Sequence, residues 1–169
     1  LQEKDHPGRH DGVADGGVAT LVAYKAESAS LRAVSGSISS AGHDLSLTVN
    51  PAVKNAMNII TGPSNTVVGV DMSPAMVIEL LDLYGNRCTN DNATNISISI
   101  LNNPSSAILY GTKVVAASSG LSTFNGIYID RYGVGYTITV TSAGLTNVVT
   151  NSFNIDSAHA TRYWVGPLD

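Results

Sequence analysis

The sequence has little charge and no concentrated basic region. Only 13% of its 169 residues are Asp, Glu, Lys or Arg, and the formal net charge is −4. Proteins that hold nucleic acid by its phosphates need a patch or stripe of Lys and Arg, and no such run is present. The composition therefore argues against a nucleic-acid partner. It also argues against a fold built from helices rich in Glu and Lys.

Long apolar runs and a second cysteine are also missing. The longest apolar segments, such as residues 75–81, are far shorter than the roughly 20 residues that a membrane-spanning helix needs, so we expect no membrane span. No signal peptide is visible, and we expect any export signal to lie upstream or to have been removed. Cys88 is the one cysteine, so it cannot form an intrachain disulfide. Two readings of it stay open, an incidental thiol in a turn and a cross-link to another chain.

The sequence is rich in Ser, Thr, Asn, Gly and Val, a balance typical of short strands and polar turns. Apolar residues alternate with Ser or Thr along residues 96–100 and 136–140, which predicts strands with one buried face. Residues 75–81 are more continuously apolar, with Glu79 on the outward side. We predict an all-β fold whose inward residues are Ile78, Leu80, Ile96, Ile98, Ile100, Phe124, Tyr136, Ile138, Val140 and Phe153.

The chain also matches itself at a spacing of about 104 positions. Three pairs of segments correspond in the same order: residues 17–21 with 120–124, residues 31–35 with 138–142, and residues 56–63 with 160–167. The last pair is an apolar strand that ends in Gly-Pro in both copies. A repeat of this length is the usual size of a seven-stranded sandwich domain.

This spacing divides the chain into three parts. Residues 1–53 correspond to the C-terminal half of one repeat, with strands expected at 18–24, 30–35 and 45–49. Residues 54–156 form a complete repeat, whose last strand we expect within residues 147–155. Residues 157–169 are the first strand of a following repeat, or a strand donated to another subunit.

Several motifs of the complete repeat occur in a characteristic order. They are Gly62-Pro63-Ser64, Asp82-Leu83-Tyr84-Gly85-Asn86, Gly120-Leu121-Ser122-Thr123-Phe124, the segment 133–140 and Ser152-Phe153-Asn154-Ile155. In this order they resemble the bacterial immunoglobulin-like repeats of adhesins and invasin-type surface proteins. The resemblance implies an immunoglobulin-like β-sandwich of two antiparallel sheets, flanked by parts of neighbouring repeats. It also implies a spacer or adhesive role without a shared active site.

Particular residues of these motifs have expected structural roles. Asp82 can accept backbone hydrogen bonds inside its turn, and Gly85 can supply the positive φ that such a turn requires. Tyr136 stands where sandwiches of this type have a tyrosine corner, in which the hydroxyl binds a nearby backbone carbonyl. Ala29 occupies that position in the first repeat.

Few residues suggest metal binding or catalysis, and we assign no catalytic, cofactor-binding or metal-binding residue. His6 and His10 would share a helix face, but Pro7 and Gly8 lie between them and oppose a helix. A calcium site formed by Asn90-Asp91-Asn92 with Asp82 is an alternative, although it offers only two carboxylates. Cys88 has no base beside it in the sequence that would make it a nucleophile.

Two features are candidates for ligands or modification. Tyr163 and Trp164 could stack on a sugar, although their counterparts in the earlier repeat are Ile59 and Ile60, which favours a buried strand position. Asn92 and Asn95 each begin a glycosylation sequon.

The sequence thus predicts a non-catalytic structural or adhesive segment of an extracellular or cell-surface fibre. Its expected partners are neighbouring repeats or identical subunits joined end to end, and a glycan or another cell-surface ligand. Two alternatives stay open. One is a filament subunit completed by donation of residues 160–167, and the other is a glycan-binding module of a secreted multidomain protein.

Overall fold

The computed structural model describes residues 21–32, 34–35, 38–39 and 45–158, and every regular element among these residues is a strand. The strands of the N-terminal part are β1 (Ser28–Leu31), β2 (Val34–Ser35), β3 (Ile38–Ser39) and β4 (Leu45–Thr48). Those that follow are β5 (Lys54–Thr61), β6 (Thr66–Val67), β7 (Met76–Asp82), β8 (Asn95–Asn102), β9 (Leu109–Tyr110), β10 (Val114–Ala116), β11 (Leu121–Phe124), β12 (Tyr128–Ile129), β13 (Gly133–Thr141), β14 (Val148–Val149) and β15 (Phe153–Asp156).

Two sheets face each other over residues 54–156. One has the strand order β11-β7-β5, and the other has the order β10-β8-β13-β15-β6, with β14 added to β13. Neighbouring strands are antiparallel except β6, which runs parallel to β15. The chain therefore crosses from one sheet to the other between β5 and β6. This is an immunoglobulin-like β-sandwich, as the sequence predicted.

The core follows from the two-residue period of the strands. Along β7 and most of β13, buried side chains alternate with partly buried ones, because successive residues point to opposite faces of a sheet. Nine of the ten predicted inward residues are buried, and Ile100 is partly buried and packs against the core. The core also contains residues that the prediction did not name, among them Met57, Met72, Met76, Cys88, Leu109, Ile127, Ile129 and Ile155.

Tyr136 confirms the expected tyrosine corner. Its ring is fully buried, and its hydroxyl donates a hydrogen bond to the Arg131 carbonyl oxygen at 3.0 Å. The same ring lies 6.1 Å from that of Phe153 on the neighbouring strand β15. One side chain thus connects the core to the turn that leads into β13.

The N-terminal part departs from the prediction in two places. Residues 21–24 are not a strand, so the strand expected at 18–24 is wrong over those four positions, and residues 18–20 lie outside the description. At Tyr24 the reason is that the carbonyl oxygen accepts a hydrogen bond from the Asn86 side-chain amide and not from a neighbouring strand. The strand expected at 30–35 is interrupted between β1 and β2, whereas β4 confirms the strand expected at 45–49.

The last strand of the sandwich also differs from its prediction. The expected strand within residues 147–155 is two short strands, β14 and β15. Thr150 lies between them, and it is bound to Ile138 of β13 through its backbone N–H and its hydroxyl. The Thr150 hydroxyl therefore takes the place of a backbone carbonyl as the acceptor for the Ile138 N–H between β14 and β15.

Strands β1 and β4 form an antiparallel pair of their own. A hydrogen bond from the Val49 N–H to the Glu27 carbonyl oxygen, 2.8 Å long, continues this pair toward the linker. Residues 49–53, which we call the linker, then lead into β5 of the sandwich. Among the described residues, no helix has the length and apolar character to span a bilayer.

Candidate functional site

Three side chains of the sandwich hold the linker where it enters β5. The Asp82 Oδ2 accepts a hydrogen bond from the Ala52 N–H at 2.9 Å, and the Cys88 Sγ donates to the Ala52 carbonyl oxygen at 3.8 Å. Two residues later, the Lys54 Nζ lies 3.2 Å from the Asp91 Oδ2. We call Asp82, Cys88 and Asp91 the linker clamp. Both backbone groups of Ala52 are therefore bound by side chains of the domain that follows.

Asp82 closes the turn at the end of β7. It is 3% exposed, and its carboxylate accepts four hydrogen bonds of 2.9 Å, from the Ala52, Tyr84 and Asn86 N–H groups and from the Asn86 amide. Burial alone would raise the pKa of this carboxyl. The hydrogen bonds from Asn86, Ala52 and Tyr84 together outweigh burial and lower the pKa from 3.8 to about 2. Gly85 has φ of 81°, as expected for this turn.

Cys88 is a core residue and not an exposed turn thiol. Its side chain is 1% exposed, and the loop that carries it packs on Gly120. A Cβ atom on Gly120 would lie 2.6 Å from the Cys88 carbonyl oxygen, and Gly120 also has φ of +74°, so a glycine is required there. Burial, followed by the charges of Asp82 and Asp91, raises the pKa of the Cys88 thiol. A cross-link through Cys88 stays a prediction, and it requires this loop to open.

Asp91 holds the loop that precedes β8. Its carboxylate accepts hydrogen bonds from the Thr94 hydroxyl at 2.6 Å, the Thr94 N–H at 3.0 Å and the Ala93 N–H at 3.2 Å, in addition to Lys54. Burial opposes ionisation, but these hydrogen bonds hold the pKa of Asp91 well below its usual range. The carboxylate is therefore charged at neutral pH and fully engaged.

The linker clamp borders a shallow cleft of about 610 Å3, lined by residues 51–54, 88 and 90–94. This is where the calcium alternative placed Asn90, Asp91 and Asn92. The Asp91 oxygens face hydrogen-bond donors, and the Asn92 Oδ1 accepts from the Ser119 N–H at 2.8 Å. Within the described part of the chain, no group of three or more acidic, His or Cys side chains is placed to hold a metal ion. The side-chain oxygens of Asp91 and Asn92 that border the cleft therefore already accept hydrogen bonds from the protein.

The turn closed by Asp82 also binds the N-terminal part of the chain. The Asn86 amide donates to the Tyr24 carbonyl oxygen at 2.7 Å, and its Oδ1 accepts from the Ala26 N–H at 3.0 Å. The rings of Tyr24 and Tyr84 lie 4.9 Å apart with planes inclined by 51°. Asn86 therefore binds both a carbonyl oxygen and an N–H group of the backbone that leads into β1. We call Tyr84 and Asn86 the junction pair.

Other predicted positions lie elsewhere or outside the described residues. The side chains of Asn92 and Asn95, which begin the sequons, are exposed. His6, His10, Tyr163 and Trp164 fall outside the description, as does the segment 160–167. Residues 157–158 are described and are not in a strand. The sequence singled out Asp82, Asp91 and Cys88 but missed their common partner, the linker.

Comparison with known proteins gives a limited result. No protein-family model and no curated protein matches this chain. Among solved structures, a β-glucuronidase of Parabacteroides merdae is 17% identical with a TM-score of 0.45, over 67% of this chain and 14% of its own length. A glycosyl hydrolase family 2 member of Bacteroides cellulosilyticus is 11% identical with a TM-score of 0.48, over 80% of this chain and 18% of its own. Domains 4–9 of the surface layer protein SbsC are 15% identical with a TM-score of 0.44, over 84% and 20%. The chain thus spans less than a quarter of each of these proteins.

Proposed function

We propose that this chain is a non-catalytic structural segment of a tandem array of immunoglobulin-like units outside the cell. Its role is to set the spacing and the orientation of successive units in a surface fibre. The observation that carries the proposal is that a single turn, residues 82–86, binds both the linker and the N-terminal part of the chain. The partners are the units before and after it in the array.

The energetic argument starts from the freedom of an unbound linker. Two domains joined by a few unconstrained residues reorient freely, because ordering the linker costs conformational entropy. Here the Ala52 N–H binds a carboxylate, and hydrogen bonds to charged groups contribute about 1.5–3 kcal/mol each. The two hydrogen bonds of Asn86 contribute about 1 kcal/mol each. Together these contacts contribute about 3.5–5 kcal/mol, which is comparable to the cost of ordering three residues at roughly 1–2 kcal/mol per residue.

The proposal predicts that the full chain tumbles as one body. Residual dipolar couplings of the amides in β1 and β4 should fit the same alignment tensor as those of the sandwich. Replacement of the junction pair, Tyr84→Ala with Asn86→Ala, should separate the fit into two tensors. The sandwich should stay folded, because Tyr84 is exposed and Asn86 is partly buried. Asn86→Ala also removes the hydrogen bond from the Asn86 amide to Asp82, which should cost about 1.5–3 kcal/mol in folding free energy.

The matched control is Leu101→Ala. Leu101 is another exposed apolar residue, on β8 at the far end from the linker clamp, so its loss should leave the single tensor unchanged. Independent tumbling of β1 and β4 in the unaltered chain would refute the proposal. So would a single tensor in the variant that lacks the junction pair.

A further inference from the structure

The polypeptide leaves the sandwich at the end opposite the linker clamp. β15 ends at Asp156, whose carbonyl oxygen accepts a hydrogen bond from the Val68 N–H at 2.9 Å. Three loops surround this point, and hydrogen bonds join Gly69 to Ile129, and Ser105 to Tyr132. We call residues 67–70, 104–108 and 129–134 the exit pole. Any unit that follows must start beside it.

The exit pole exposes several large apolar side chains. Tyr132 is 68% exposed and lies on a cleft of about 330 Å3 that Val68, Asp130 and Arg131 also line. Further exposed apolar side chains of the pole are Val67, Val70, Ile108 and Val134. Clustered apolar side chains with polar groups at their edge are typical of a surface that contacts another protein unit.

The N-terminal junction shows how the sandwich contacts the segment that precedes it. There, the junction pair binds Tyr24 and Ala26, which directly precede β1. β1 pairs antiparallel with β4, the last strand before the linker, as β13 pairs antiparallel with β15. The match of residues 31–35 with 138–142 places β1 and β13 at the same position of the repeat. By this match, residues 131–133 occupy the position at the start of β13 that residues 24–26 occupy ahead of β1.

We propose that the exit pole is the docking surface for the turn of a following immunoglobulin-like unit, a turn of the type Asp-Leu-Tyr-Gly-Asn found here at residues 82–86. The tyrosine ring of that turn packs on Arg131 and Tyr132, where a guanidinium and an aromatic face are both available. The asparagine amide of that turn binds the backbone of residues 131–133. This inference rests on the proposed function and extends it, because the junction between each pair of successive units would then use the same head-to-tail contact.

The match between residues 56–63 and 160–167 makes a direct test available. A chain in which residue 167 is followed by a copy of residues 64–156 carries a second complete unit in register. Hydroxyl-radical footprinting with mass spectrometry then compares Tyr132 in the original and the extended chain. Val114 serves as the internal reference, because it is exposed on β10, away from the exit pole.

We expect the oxidation rate of Tyr132 to fall about threefold in the extended chain, as an exposed ring becomes part of an interface core. The rate of Val114 should not change. Removal of the tyrosine and asparagine of the copied turn, by the changes Tyr84→Ala and Asn86→Ala made in the copy alone, should restore the original rate.

Two results would overturn the inference. One is an unchanged Tyr132 rate in the extended chain while the copied unit is folded, as judged by its amide spectrum. The other is protection of Tyr132 in the original chain that grows with protein concentration, since a second copy of the chain would then be the occupant. Neither result bears on the dipolar-coupling test, which examines the N-terminal junction and stands or falls independently.

Discussion

The substitution Asp82→Asn tests whether the charge of the linker clamp stabilises the sandwich. In the native turn, Oδ1 accepts from the Tyr84 and Asn86 N–H groups, and Oδ2 accepts from the Ala52 N–H and the Asn86 amide. An asparagine keeps one oxygen and replaces the other by a donor. Two of the four donors then face an NH2 group, and each donor left without a partner at this partly buried site costs about 1–2 kcal/mol, the lower part of the range for buried groups. We expect a loss of about 2–4 kcal/mol in the free energy of unfolding at pH 7.

The pH dependence provides a second estimate of the same interaction. The pKa of Asp82 is lowered from 3.8 to about 2 in the folded protein. A carboxyl with a lowered pKa stabilises the fold fully above its unfolded pKa, and this contribution is lost as the pH falls through the folded value. The shift corresponds to about 2 kcal/mol. The difference between wild type and Asp82→Asn should therefore be constant from pH 7 to 5 and should shrink by about 2 kcal/mol near pH 2.

Urea unfolding of the full chain, followed by far-ultraviolet circular dichroism at pH 7, 5, 3 and 2, measures both quantities. Asp71→Asn is the control, because Asp71 is exposed and removing its charge should change the midpoint little. Equal urea midpoints for wild type and Asp82→Asn at pH 7 would refute the reasoning. A difference that persists unchanged to pH 2 would show that the charge is not its source.

Three further changes probe the core and the loops. Tyr136→Phe removes the hydroxyl that binds the Arg131 carbonyl oxygen and should cost about 1–2 kcal/mol in urea unfolding, and no loss would contradict a stabilising corner. Gly120→Ala should cost more than Gly144→Ala by thermal unfolding. Both have positive φ, but only Gly120 has backbone atoms within 3 Å of the added Cβ, and equal losses would exclude a steric cause. The Cys88 thiol should react with an aromatic disulfide reagent only as fast as its loop opens, so rapid labelling of the native protein would contradict its burial.

The strands of the sandwich could be predicted because their signal is local. Ile96 and Ile98, and Ile138 and Val140, alternate with hydroxyl residues, and a two-residue period assigns one face of each strand to the core without knowledge of its neighbours. The tyrosine corner was predictable for a similar reason, since Tyr136 and its partner Arg131 are five residues apart. Local motifs of this kind do not depend on distant contacts.

The contacts of the linker clamp and of the junction pair could not be predicted, because they join residues that are distant in sequence. Asp82 binds Ala52, 30 positions away, and Asn86 binds Ala26, 60 positions away. Cys88 has polar sequence neighbours, and it is buried only because its loop folds back onto Gly120. The sequence predicted backbone hydrogen bonds for Asp82 inside its turn and offered calcium as an alternative for Asp82 and Asp91, but no sequence pattern indicated that these carboxylates hold the linker.

The arrangement of these contacts separates the stability of the unit from the stiffness of the junction. Asp82 and Cys88 are buried in the sandwich and also hold Ala52, so a change at either position must weaken the fold as well as the linker. Tyr84 and Asn86 lie in the same turn, but their contacts with the N-terminal part form outside the core. Tyr84→Ala should therefore weaken the junction with little loss of folding free energy, whereas Asn86→Ala also removes a hydrogen bond to Asp82 and should weaken both.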